Sequence, residues 1–158
     1  MARSKSTTFI SILLLFTTAL ADDAPYGGLK LLEGYKYRRS RTADTINGLI
    51  FKDGGLSIEF ESGISEGYAA DPGEKSKYLW YREQVVNGHN VFLALTEIGA
   101  ATKWQPERPR PAKLGRVLMV TFPGKLGPND AANFYAQVLD EKEIAETLLM
   151  VLTFDPTK

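Results

Sequence analysis

The sequence predicts an α+β fold: a mainly antiparallel β-sheet of six or seven strands with one amphipathic helix at the C-terminus. Three observations carry this expectation. Apolar and polar residues alternate with the period of two that marks a half-buried strand, as in Leu56, Ile58 and Phe60 against Ser57, Glu59 and Glu61. Two pairs of such runs flank Asp53-Gly54-Gly55 and Asn87-Gly88, short turns of the hairpin type. Near the end the period lengthens, and Ile144, Leu148, Val151 and Leu152 fall at i, i+4, i+7 and i+8, one stripe of a helix.

Taken in order, residues 1–21 have the composition of a secretory signal peptide. Arg3 and Lys5 form a basic start, 9–16 (FISILLLF) an apolar centre, and Ala19-Leu20-Ala21 a small-x-small cleavage site. The apolar centre is shorter than the roughly 20 residues that span a bilayer. Cleavage after Ala21 is therefore expected, and no membrane-spanning segment is expected after it. Residues 22–28 (DDAPYGG) follow as a flexible leader, and 29–158 as a single exported β-rich domain. Removing 1–21 from 158 leaves 137 residues, enough to bury a core.

Strands are expected at 29–37, at 47–52 and 56–61 as one hairpin, and at 78–86 and 90–97 as a second. Asn-Gly suits the second turn because both central positions of a type I′ turn need φ > 0. Residues 62–77, with their glycines and Asp71-Pro72-Gly73, read as a connection holding a short strand at 67–70. Residues 98–115 contain three prolines, which lack the backbone donor, and read as a surface loop. A strand is expected at 116–122, a loop at 123–130, and a strand at 133–138, where a short helix is the alternative. Asp140 then caps the helix, with Glu143 three residues on as a capping box requires. Glu141, Lys142 and Glu146 are expected to face water, and Asp155-Pro156 ends the element.

Charge and composition narrow the function. Loss of Arg3 and Lys5 takes Lys plus Arg from 19 to 17 against 19 Asp plus Glu, a net charge of −2. Nucleic-acid-binding domains carry a basic excess, so nucleic acid is not the expected partner. With no cysteine there is no disulfide framework, thiolate nucleophile or cysteine-ligated zinc. The absence of both cysteine and an Asn-x-Ser/Thr sequon points to a bacterial secreted or periplasmic setting.

No catalytic constellation stands out. His89 is the only histidine, it flanks a turn, and no serine lies in a Gly-x-Ser-x-Gly elbow. One histidine and no cysteine leave no set of zinc ligands, no calcium loop is present, and neither metal nor cofactor is expected. Glu59 and Glu61 lie two apart on one strand, about 7 Å, a separation compatible with glycosidase chemistry. Paired glutamates on the wet side of a strand are also simply a solvated face. Gly54-Gly55 precedes a strand, whereas glycines that cradle phosphate open a helix.

Two groups of residues are candidate ligand contacts. Tyr78, Trp80 and Tyr81 crowd one strand, with Tyr78 and Trp80 on one face and Tyr81 on the other. Such a strand either has both faces covered or offers exposed rings to a glycan or protein. Basic residues gather at Lys36, Arg38, Arg39 and Arg41 and again at Arg108, Arg110, Lys113 and Arg116; if the segments meet, they form an anion-binding patch. The sequence thus predicts an exported, non-catalytic binding domain with Tyr78, Trp80, Tyr81, Arg38 and Arg39 as contacts, and an envelope component, a protein or a glycan as partner. The alternatives are a small glycan or ester hydrolase using Glu59, Glu61, Glu83 or His89, and a basic-patch binder of an anionic surface.

Overall fold

A computed structural model describes residues 25–41, 43–64, 67–98, 115–124 and 127–158, with the side chains of 127–129 excepted. The leader at 1–21, residues 22–24, most of the proline-rich loop and the basic residues Arg108, Arg110 and Lys113 lie outside the described residues. Seven strands form one antiparallel sheet: β1 (Lys36–Arg41), β2 (Thr45–Phe51), β3 (Ser57–Ile64), β4 (Trp80–Val86), β5 (His89–Glu97), β6 (Arg116–Gly124) and β7 (Gly127–Val138). Their order is β1-β2-β3-β7-β6-β5-β4, and a single helix, α1 (Glu141–Val151), follows the last strand.

The hairpins arise from their turns. Asn87 and Gly88 both take positive φ, 51° and 81°, which sets Val86 opposite His89. At the other hairpin Gly54 takes φ 67°, and Lys52 closes the loop by donating to and accepting from Leu56 and Gly55. Asp140 Oδ1 accepts from Glu143 N at 2.9 Å, and Glu143 Oε2 reaches back to Leu139 N at 2.8 Å, so the capping box forms with its return arm one residue further out.

Period two divides the sheet into two faces. On the helix face Ile50, Ile58, Phe60, Val91, Leu93, Leu118, Val120, Phe122, Phe134 and Ala136 are all buried. Met150 and Val151 of α1 and Phe154 beyond it close over them. Phe154 meets Phe122 and Phe134 edge-on at 5.0 and 5.2 Å, a favourable geometry for ring quadrupoles. Leu148 and Ile144 flank this contact half-buried.

Several expectations are corrected. Tyr26–Gly28 is not loose leader: it forms a 3-10 turn whose Tyr26 ring packs on Phe60 and Phe154, and Gly27 O accepts from Asp155 N at 2.8 Å. The apolar stretch 29–35 is not strand. It turns at Gly34 (φ 81°) and lays Leu29, Leu31 and Leu32 on the core, and only from Lys36 does it join the sheet. Glu146 is half-buried because the Tyr35 hydroxyl donates to its Oε2 at 2.7 Å. The stretch 123–130 is mostly strand, since β6 and β7 keep pairing as far as Pro123↔Ala131, with a register shift at Pro123/Gly124. Residues 67–70 form no strand, and Pro72–Lys77 is a 3-10 helix.

Candidate functional site

Among the described residues, the second face is covered over only part of its width. Residues 67–79 cross it above β5, β6 and β7, burying Ala70 against Ala94, Val117 and Met119. Asn133 on β7 pins this cover. It is wholly buried, and its amide makes all four bonds open to it. Oδ1 accepts from Thr121 Oγ1 at 2.8 Å and Ala69 N at 2.9 Å; Nδ2 donates to Gly67 O at 2.9 Å and Glu61 Oε1 at 3.1 Å. Thr121 Oγ1 accepts in turn from Ala70 N at 3.0 Å.

Beyond that cover, over β1, β2 and β3 and the near side of β7, lies a cleft of about 480 Å³ lined by Arg38, Arg39, Ser40, Asn47, Glu59, Glu61 and Tyr135 among others. The antiparallel register explains why these residues meet. Arg38, Leu49, Glu59 and Tyr135 pair in one row across β1, β2, β3 and β7. Ser40, Asn47, Glu61 and Asn133 form the next row on the same face. Leu49, only 1% exposed, is the apolar floor between Arg38 and Glu59. Gly48 lets the Phe60 ring lie over β2 from below; a Cβ there would come within 2.2 Å of the ring and 2.9 Å of Arg38 O.

Glu61 is held in place in the cleft by two donors. Its Oε1 accepts from both Asn133 Nδ2 and the Tyr135 hydroxyl, the latter at 3.3 Å. Glu59 and Glu61 are half-buried rather than water-facing, because Leu49, Asn133 and Tyr135 stand beside them on the same face. Arg38, Glu59 and Glu61 thus place charges of both signs on this face, whereas Arg39, in the row of Gly48 and Phe60, borders the cleft from a position whose side chain belongs to the other face. No protein-family model, curated protein or solved structure matches this chain.

The candidate residues separate into two places. Arg38 and Arg39 line the cleft. Tyr78, Trp80 and Tyr81 lie at the other edge, six strands away or about 29 Å at normal strand spacing. Tyr78 precedes β4, so strand alternation does not apply to it; it stacks on Tyr81 at 5.9 Å and 12° within the cover, and Trp80 alone turns to the helix face. Both faces of that strand are therefore covered in part, and Trp80 is 37% exposed beneath the Arg82 guanidinium. Burial pushes the phenols of Tyr78 and Tyr81 up, helped at Tyr81 by the neighbouring Glu83 carboxylate. A bond from Lys75 at 2.6 Å holds the Glu83 carboxyl below its ordinary range.

The other candidates do not join the cleft. Glu83 is tied to Lys75 and Tyr81 at the β4 edge. His89 Nε2 lies 3.6 Å from Asp155 Oδ1 near the C-terminal residues. Arg116 is on β6, four strands from β1, and its Nη1 bonds Glu141 at 3.2 Å. Asn47, Asn133 and Tyr135 were not among the sequence candidates. Their signal was the polar alternation of Asn133, Tyr135 and Gln137 against Phe134, Ala136 and Val138, which marks a strand with a polar set on its second face.

Proposed function

We propose that the chain is an exported, non-catalytic binding domain whose ligand site is the cleft over β1, β2, β3 and β7. One observation carries this reading: among the described residues, the segment 67–79 covers half of a sheet face, and the other half is a cleft lined by polar groups. Such a face, apolar at its floor and polar at a few placed points, has the make-up of a ligand site. Export rests on residues 1–21 and their order of basic, apolar and small residues.

Hydrolysis is the second reading, favoured by Glu59 and Glu61 lining one cleft about 7 Å apart. Against it, Glu61 Oε1 is engaged by two donors, and Glu83 and His89 sit elsewhere. An anionic surface as partner is disfavoured by those same two carboxylates beside Arg38 and Arg39. The test is a screen on ester and glycoside substrates, with silence expected. Turnover that Glu59→Gln or Glu61→Gln abolishes would replace binding by catalysis. For export, N-terminal sequencing of protein from its host is expected to begin at Asp22; a cytosolic product beginning at Met1 would remove that part.

A further inference from the structure

We infer that the cleft takes a neutral, hydroxyl-rich ligand, a stretch of uncharged glycan laid across β1, β2 and β3; this rests on the binding-site reading above. The charge pattern of the lining comes first. Arg38 opposes a cationic ligand, Glu59 and Glu61 oppose an anionic one, and all three face one small cleft. Leu49, the apolar floor, is buried, so a purely apolar ligand finds no surface to cover.

What is offered is hydrogen bonding. Ser40, Asn47 and Glu61 form one row on three adjacent strands, about 10 Å long at normal strand spacing. Among the described residues, neither the Ser40 hydroxyl nor the Asn47 amide bonds another side chain, and Glu61 leaves Oε2 without a partner. A hydroxyl, an amide and a carboxylate oxygen supply donors and acceptors in alternation. Sugar hydroxyls both donate and accept, and repeat along a chain. Glu61 is also preorganised: Asn133 and Tyr135 hold it before any ligand arrives, which lowers the ordering cost of binding.

The experiment is amide NMR on protein expressed from the 158-residue sequence, titrated to about 10 mM with neutral tetrasaccharides of β-1,4-glucose, β-1,4-N-acetylglucosamine and α-1,4-glucose, a range that detects millimolar dissociation constants. A heparin tetrasaccharide, diglycine and an acidic hexapeptide are added separately. At least one neutral sugar is expected to shift the amides of Asn47, Gly48 and Glu61 saturably. Asn47→Ala and Glu61→Gln should each weaken that binding about tenfold, the size of one lost hydrogen bond, while Glu83→Gln at the far edge leaves it unchanged. Unchanged amide dispersion in each variant shows that the fold persists. No cleft shift from any neutral sugar overturns the inference, as does sugar binding that survives both cleft variants. If a charged probe moves the cleft amides instead, the binding site stands and only the ligand class falls. If no probe moves them, the binding site falls too.

Discussion

Replacing Asn133 by alanine should loosen the cover over half of a sheet face and release Glu61 at the same time. The side chain is wholly buried and makes four hydrogen bonds, to Thr121, Ala69, Gly67 and Glu61. The Thr121 hydroxyl is itself sealed from water and keeps only its bond from Ala70 N, so its O–H is left without an acceptor, the larger penalty of about 1–3 kcal/mol. The other three partners are only part-buried, and each contributes about 0.5–1 kcal/mol once water takes the vacated position. The sum is about 2.5–6 kcal/mol, a large share of the 5–15 kcal/mol typical of a whole domain. Urea denaturation measures the total. Hydrogen exchange at the amides of Ala69 and Ala70 measures the local part, since Asn133 and Thr121 accept from them directly. Thr121→Val should cost about 1–3 kcal/mol alone, and the double variant should fall short of additivity by about 1 kcal/mol because both act on one network. A loss below about 1 kcal/mol for Asn133→Ala, or unchanged exchange at Ala69, would refute the claim that this amide pins the cover.

Three further outcomes are expected. Gly48→Ala should lower stability by about 1–3 kcal/mol in thermal denaturation, because its Cβ meets the Phe60 ring and Arg38 O; a neutral result would mean the ring has room to move. Met150→Ala should cost about 2–5 kcal/mol and Leu148→Ala distinctly less, since Met150 is fully buried and Leu148 half-buried; equal losses in urea would show that α1 is seated differently. The Glu83 carboxyl is held below its ordinary value of 4.5, so its pairing with Lys75 stabilises the fold above that pH and is lost as pH falls through the lowered value. Glu83→Gln should therefore reduce the urea midpoint at about pH 6 and progressively less as the carboxyl is protonated in acid; the reverse order would contradict the assigned sign.

The strands and helix were legible wherever a local rule acts alone. Asn87-Gly88 imposes positive φ, Asp140 with Glu143 caps a helix, and Leu56, Ile58 and Phe60 declare one buried face. Legibility failed where tertiary contact decides. Residues 29–35 have a strand-like apolar content, yet they are spent as a lid on the core, and no local signal separates the two uses. Pro123 suggested a loop, but proline is tolerated at a strand irregularity such as the one at Pro123/Gly124. The cleft was half legible: Arg38, Arg39, Glu59 and Glu61 attracted notice, but strand order was needed to bring β3 beside β7 and so join Glu61 to Asn133 and Tyr135. The aromatic cluster misled because Tyr78 lies just before its strand, where alternation no longer sets direction.

The strand order also governs when the molecule can finish folding. As the chain lengthens, β1–β3 and β4–β6 can each assemble as a triplet from neighbouring segments, but the raw edges of β3 and β6 both wait for the same late-made β7. Stitching two half-sheets together with the final strand makes the decisive pairings distant in sequence, as between Ile58 and Ala136, and such topologies close slowly. Until that last strand is in place the molecule is two separate ribbons with open edges, so a chain cut short before β7 has no way to join them.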